Sequence, residues 1–111
     1  MIALRQALER GDVIVGTGLV LQELLQGFTA PKARASLIER FAALPFVNPQ
    51  REDQIDAAEL RNHCRRNSVQ LGTIDALLSQ LCIRHELVLL STDRDFVHAA
   101  RHCALDIWRA P

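Results

Sequence analysis

Apolar residues recur at helical spacing in six stretches of the chain, with short apolar runs between them. Ile2, Leu4, Ala7 and Leu8 form the first amphipathic stripe, and Gly11 follows it as a helix stop. Asp12 to Gly16 is a brief β-branched run suited to a buried strand, after which Thr17 stands where a second helix, Gly18 to Gln26, needs an N-cap. The stripe of that helix is Val20, Leu21, Leu24, Leu25 and Phe28, and Gly27 stops it. Glu23 lies one edge away from the stripe, facing either a cleft or solvent. Pro31 suits a helix first turn, and Leu37, Ile38, Phe41, Ala42 and Leu44 carry a third helix that Pro45 terminates. Phe46-Val47 has the length of a very short strand.

From Arg51 to about Arg66 the pattern Ile55, Ala58, Glu59, Leu60, Cys64 is helical but weakly apolar, which predicts a partly exposed outer helix broken at Asn67-Ser68. Thr73 then caps the strongest helix of the chain, with Ile74, Leu77, Leu78, Leu81 and Cys82 on one buried face. Leu87-Val88-Leu89-Leu90 is a short apolar strand running into the polar turn Ser91-Thr92-Asp93. A helix through Phe96, Val97, Ala99 and Ala100 follows, and Ala104 to Trp108 is a short last strand. Helices alternate with apolar runs and no Asn-Gly hairpin signal occurs, so the fold class is α/β, a parallel sheet with helices on both faces.

Length and composition narrow this picture. The 111 residues suffice for one core, so a single domain over 1–111 is expected. With 49% hydrophobic and 23% charged residues the chain has the composition of a soluble globular protein, and no apolar run approaches the ~20 residues of a membrane span. The start of the chain alternates apolar and charged residues instead of forming a secretory signal, and Cys64, Cys82 and Cys103 are odd in number without a CxxC pair. Reduced thiols and a cytoplasmic location are therefore expected. Thirteen basic residues balance thirteen acidic ones, which excludes a global cationic field for coating nucleic acid. The densest basic cluster, Arg61, Arg65 and Arg66, reads as a solvated helix end, with a local RNA contact as the minor alternative.

The chemistry rests on carboxylates. In an open α/β sheet ligands bind at the carboxyl ends of strands, where Asp93 and Asp95 stand; the plainer alternative is that Asp93 caps the next helix and Asp95 answers its dipole. Asp75 lies two residues past Thr73, and one helix plus one strand separate it from Asp93, a path that can return a strand end beside a neighbouring helix start. Joined by Glu23, these two would make an acidic pocket of the oxygen donors that hard divalent cations take. The reaction such a pocket suits is metal-assisted phosphodiester hydrolysis.

Three segments add a resemblance. Thr17-Gly-Leu-Val-Leu-Gln-Glu-Leu-Leu-Gln-Gly27 resembles the acid-bearing helix of PIN-domain ribonucleases, with its Glu-Leu-x-x-Gly setting. Leu71-Gly-Thr-Ile-Asp-Ala-Leu-Leu78 is similar to their Asp-bearing helix start, and Leu90-Ser-Thr-Asp-Arg-Asp-Phe96 to their Thr-x-Asp-x-Asp-Phe segment. All three stand in the family's order, over about Asp12 to Trp108, and the likeness is nearest to VapC-type toxins of toxin-antitoxin pairs. It implies a PIN-like three-layer α/β/α fold with a short parallel sheet. It also implies an Mg2+-dependent ribonuclease, with Mn2+ able to stand in, whose metal-binding and catalytic acids are Glu23, Asp75 and Asp93. Asp95 would be auxiliary and Thr92 a polar neighbour. The implied partners are RNA and a cognate VapB-like antitoxin, in a homodimer or hetero-complex and without a membrane.

One departure stands against it. PIN domains open with a central strand ending in Asp followed by Thr or Ser, and Asp12 precedes a strand instead of ending one. The first central strand is therefore expected to be missing from this chain, encoded upstream or truly lost. The second reading that follows is a catalytically inactive PIN-like fragment that binds an antitoxin or second chain. A zinc site from Cys82-x-x-His85 and His98-x-x-x-His102 is set aside, because Cys82 belongs to a buried stripe and the two histidines suit an exposed helix face. Nucleophilic serine or cysteine catalysis lacks its motif: no Ser sits in a Gly-x-Ser-x-Gly turn, and no Cys has an evident base beside it.

Overall fold

The structure, a computed structural model, describes residues 15–91 and 93–108. The helix expected at Ile2 to Leu8 with its stop at Gly11, the strand start at Asp12 to Ile14, and Thr92 lie outside the described residues. The described residues fall into two compact units, one ending at Asn48 and the other beginning at Pro49.

The first unit holds α1 (Gly18–Gly27) and α2 (Pro31–Ala42). Pro31 occupies the first turn of α2, where its missing N–H has no helical partner to lose. Arg34 on α2 donates to the Leu25 and Phe28 carbonyls at 3.0 and 3.4 Å, closing the C-terminal end of α1. Gly16 and Phe46 form a parallel bridge through Gly16 N–H to Pro45 O at 2.8 Å and Val47 N–H to Gly16 O at 2.9 Å. A Cβ on Gly16 would lie 3.0 Å from the Phe46 ring, so any other residue there would have to push the ring aside by a few tenths of an ångström. Thr17 stands at the N-cap of α1 as expected, yet its side chain makes no cap hydrogen bond. No side chain of α1 or α2 is fully buried, and Phe28 and Ile38, read as stripe residues, are exposed.

The second unit contains α3 (Arg51–Arg66), α4 (Thr73–Arg84), β1 (Val88–Leu89), α5 (Arg94–Ala99) and β2 (Asp106–Ile107). The two strands pair in parallel, Val88 opposite Asp106 and Leu89 opposite Ile107, and Trp108 N–H extends the pairing to Leu89 O at 2.9 Å. A parallel pair needs a crossover, which α5 and the following turn supply. Beneath the sheet lies one core of Ala57, Leu60, Cys64, Leu71, Ala76, Phe96, Ala99 and Leu105, with Leu89 and Ile107 packed on it. Among the described residues no helix is long and apolar enough to cross a membrane.

Helix bounds follow the sequence closely, whereas buried faces differ. On α3 the buried face is Asp53, Ala57, Leu60 and Cys64, while Ile55 is 58% exposed and Ala58 and Glu59 face outward. That face begins with an acid, so a search for apolar periodicity cannot see it. On α4 the N-cap is Gly72, whose carbonyl receives Ala76 N–H at 2.9 Å, and Thr73 is the first helical residue. Ile74 is exposed, and Ala76, Leu78, Ser79 and Leu81 are the buried side chains. His98 and His102 do not share a helix face, because α5 ends at Ala99; the His102 ring instead stands edge-on to His63, centroids 6.4 Å apart.

Candidate functional site

Each described acid of the proposed set is placed by local chemistry. Asp93 adopts an extended backbone at the N-cap of α5; its Oδ1 accepts Asp95 N–H at 2.9 Å, and its own N–H donates to Ser91 Oγ at 3.1 Å. The cap reading of Asp93 thus holds. It engages Oδ1 alone in that bond, and the residue is exposed, as is Asp95 in the first turn. Asp75 is half-buried in the first turn of α4. A Cβ on Gly72 would lie 3.8 Å from Asp75 Oδ2, so the carboxylate bends back over the helix start, where the dipole favours negative charge. Glu23 is exposed on α1, in the other unit, and Thr92 lies outside the described residues.

Within the second unit, chain order puts Asp75 in the first turn of α4 and Asp93 just past β1, the strand that follows that helix. The chain turns after α4 with Glu86 in the left-handed region at φ 53°, and Leu87 N–H donates to Cys82 O at 2.8 Å as the strand sets off against the helix. The twelve residues of α4 rise about 18 Å. The extended segment from Leu87 to Ser91 returns about 16 Å of that.

Two polar ties hold α4 on α3, and apolar patterning reveals neither. At one end Arg84 donates to both carboxylate oxygens of Asp53, through Nε to Oδ1 and through Nη2 to Oδ2 at 2.8 Å, while Gln50 N–H donates to the same Oδ2 at 2.8 Å. Burial pushes the Asp53 carboxyl up, but the Arg84 and Gln50 hydrogen bonds and the nearby positive charge hold it below its ordinary value. The sequence signal that could have found this tie is the acid three residues after Gln50 at the helix start. At the other end Arg61 Nε donates to Leu71 O at 2.8 Å.

The donor set suits a hard cation in kind. Carboxylate oxygens are what Mg2+ and Mn2+ take, and Mg2+ is commonly held by one or two carboxylates with water completing its shell. Among the described residues no group of three or more His, Cys, Asp or Glu is gathered closely enough to hold a metal. Two open depressions, of about 350 Å³ beside Leu21, Leu25 and Arg34 and about 620 Å³ beside Gln50, Gln54 and Ile55, include none of the proposed acids. The thiols offer little to a metal or an electrophile. Burial pushes Cys82 up to about 11 and raises Cys64, to which Cys103 adds.

Known proteins are similar to this chain in sequence pattern and in fold. A family model described as PIN domain matches residues 1–102. A chain in the crystal structure of VapBC2 from Rickettsia felis, bound to a DNA fragment from their promoter, is similar in fold with a TM-score of 0.71. It is 19% identical, over 89% of this chain and 76% of that one.

Proposed function

Because the chain belongs to the PIN domain family, we propose that it is a metal-dependent ribonuclease of the VapC toxin kind, hydrolysing RNA phosphodiesters in the cytoplasm. The observation that supports this most is that Asp75 stands in the first turn of α4 and Asp93 caps α5, directly after the strand that follows α4. Asp75 and Asp93 would hold Mg2+, or Mn2+ in its place, with Asp95 auxiliary and Thr92 a polar neighbour; Glu23 is a third acid only as the family resemblance implies. When bound, the cation supplies an acidified water and neutralises charge on the displaced phosphate. The protein's own share is positional: the Asp93 cap fixes one carboxylate by its Oδ1, and the α4 start fixes the other over Gly72. RNA cleavage that requires Mg2+ and stops on chelation tests the proposal.

A second reading, a catalytically silent binder, draws on the first unit. Phe28 and Ile38 are exposed there, and no side chain of α1 or α2 is fully buried. In either reading the partner we propose is a VapB-like antitoxin, in a homodimer or hetero-complex. The similar R. felis structure is itself a VapBC2 complex. A folded chain that binds such an antitoxin and leaves RNA intact at saturating Mg2+ would select the binder.

A further inference from the structure

Resting on the assignment of Asp75 as a metal-binding acid, we propose that Arg61 is a positioning residue for it, acting through the Leu71 carbonyl. Arg61 is half-buried, whereas Asn62, His63, Arg65 and Arg66 around it are exposed. Its Nε–H lies 2.8 Å from Leu71 O, so the guanidinium is spent inward on the backbone and not outward with the other arginines.

Leu71 is where the chain enters α4. Ser68 turns it out of α3 with φ 62°, Val69 N–H returns to Cys64 O at 2.8 Å, and the Leu71 side chain, 3% exposed, seats in the core with Leu60 and Cys64. The next residue, Gly72, is the N-cap of α4 and lies under the Asp75 carboxylate. Leu71 is thus held on two sides, by its side chain in the core and by its carbonyl on Arg61. Without the second hold the peptide between Leu71 and Gly72 can rotate, and the first turn of α4 rotates with it. Asp75 is four residues from that carbonyl and depends on its orientation. A backbone carbonyl is a demanding acceptor when withdrawn from water, and one planar N–H on a charged group both satisfies it and sets its direction.

The test is Arg61→Met, which keeps the stem and removes every donor, with Asp75→Asn beside it. Mn2+ affinity is read by calorimetry, folding by circular dichroism, and kcat and KM on RNA. The expected result is a folded Arg61→Met chain whose Mn2+ affinity falls by about 10-fold, the low end of the loss on removing a direct partner of a metal ligand because Arg61 acts through the backbone, with kcat reduced and KM for RNA unchanged. Wild-type Mn2+ affinity in a folded Arg61→Met chain overturns the proposal. So does a raised KM with unchanged affinity, which assigns Arg61 to an RNA surface. If Arg61→Met does not fold, Arg61→Lys carries the test, because its ammonium sits one bond beyond Nε and overshoots the carbonyl; unaltered affinity there also overturns it. Unaltered affinity in Asp75→Asn marks a different failure, that of Asp75 as a metal-binding acid.

Discussion

Arg84 grips the fully buried carboxylate of Asp53 with two N–H groups, tying the last turn of α4 to the first turn of α3. A buried acid is costly unless it is paired and hydrogen-bonded, and here a third donor, Gln50 N–H, completes the set. The Arg84 side chain keeps 32% of its exposure, so only one partner is fully withdrawn from water.

Asp53→Asn should therefore cost about 2 to 3 kcal/mol, the range for a charge-assisted hydrogen bond lost in the interior, read as a lower urea midpoint at pH 7. Because the folded carboxyl is held below its ordinary value, its contribution is complete above the unfolded pKa of about 3.9 and fades as pH falls through the folded one. The gap between wild type and Asp53→Asn should be constant from pH 7 to 5 and shrink below about pH 4. A gap that widens on acidification would contradict the assignment.

Ser79 on α4 is fully buried and its hydroxyl has no hydrogen-bond partner among the described residues. Trimming the hydroxymethyl group to a methyl removes an unsatisfied hydroxyl with its desolvation cost and gains helix propensity. Ser79→Ala should be neutral or more stable by up to about 1 kcal/mol in urea denaturation, unlike most buried substitutions.

At Asp93 the cap and the proposed metal role separate by substitution. Asparagine can still accept Asp95 N–H, whereas alanine cannot and should cost about 1 kcal/mol. Both remove the charge. Asp93→Asn should keep wild-type stability and lose Mn2+ affinity, while Asp93→Ala should lose both, as thermal denaturation and calorimetry would show.

How far the chain explains itself is plain at these positions. The bounds of α3 were readable because their signals are local: the helical pattern from Arg51 and the break at Asn67-Ser68 after it. The Asp93 cap and the parallel β1–β2 pair were readable for the same reason. Which side of α3 is buried was not, since Asp53 turns inward only because Arg84, 31 residues later, meets it. Ile55 and Ile74 point outward against their hydropathy, since the faces that pack are set by the neighbouring helix and not by side-chain type alone. Of the acids, local order along the chain marked Asp75 and Asp93 as helix starts, whereas the reversal at Glu86, in the left-handed region, left no comparable mark. The role of Arg61 was hidden because a backbone carbonyl leaves no mark in the sequence.

The buried Cys64 and half-buried Cys82 thiols supply a prediction independent of the acids. With Cys82 at about 11, only about one molecule in a thousand carries its thiolate at pH 8. Mass spectrometry after brief alkylation should find Cys82 and Cys64 unmodified in the native chain and modified in urea. Rapid native labelling of Cys64 would contradict its burial.

Metal-dependent RNA cleavage by this chain stands or falls at Asp75. RNA cleavage by the wild-type chain and by Asp75→Asn, both shown folded by circular dichroism, is measured across Mg2+ concentrations and after chelation. Mg2+-dependent cleavage by the wild type is expected, abolished by chelator and reduced at least about 100-fold in Asp75→Asn, consistent with loss of a metal-assisted step. Cleavage by Asp75→Asn at the wild-type rate, or none by a folded wild type at saturating Mg2+, would contradict it.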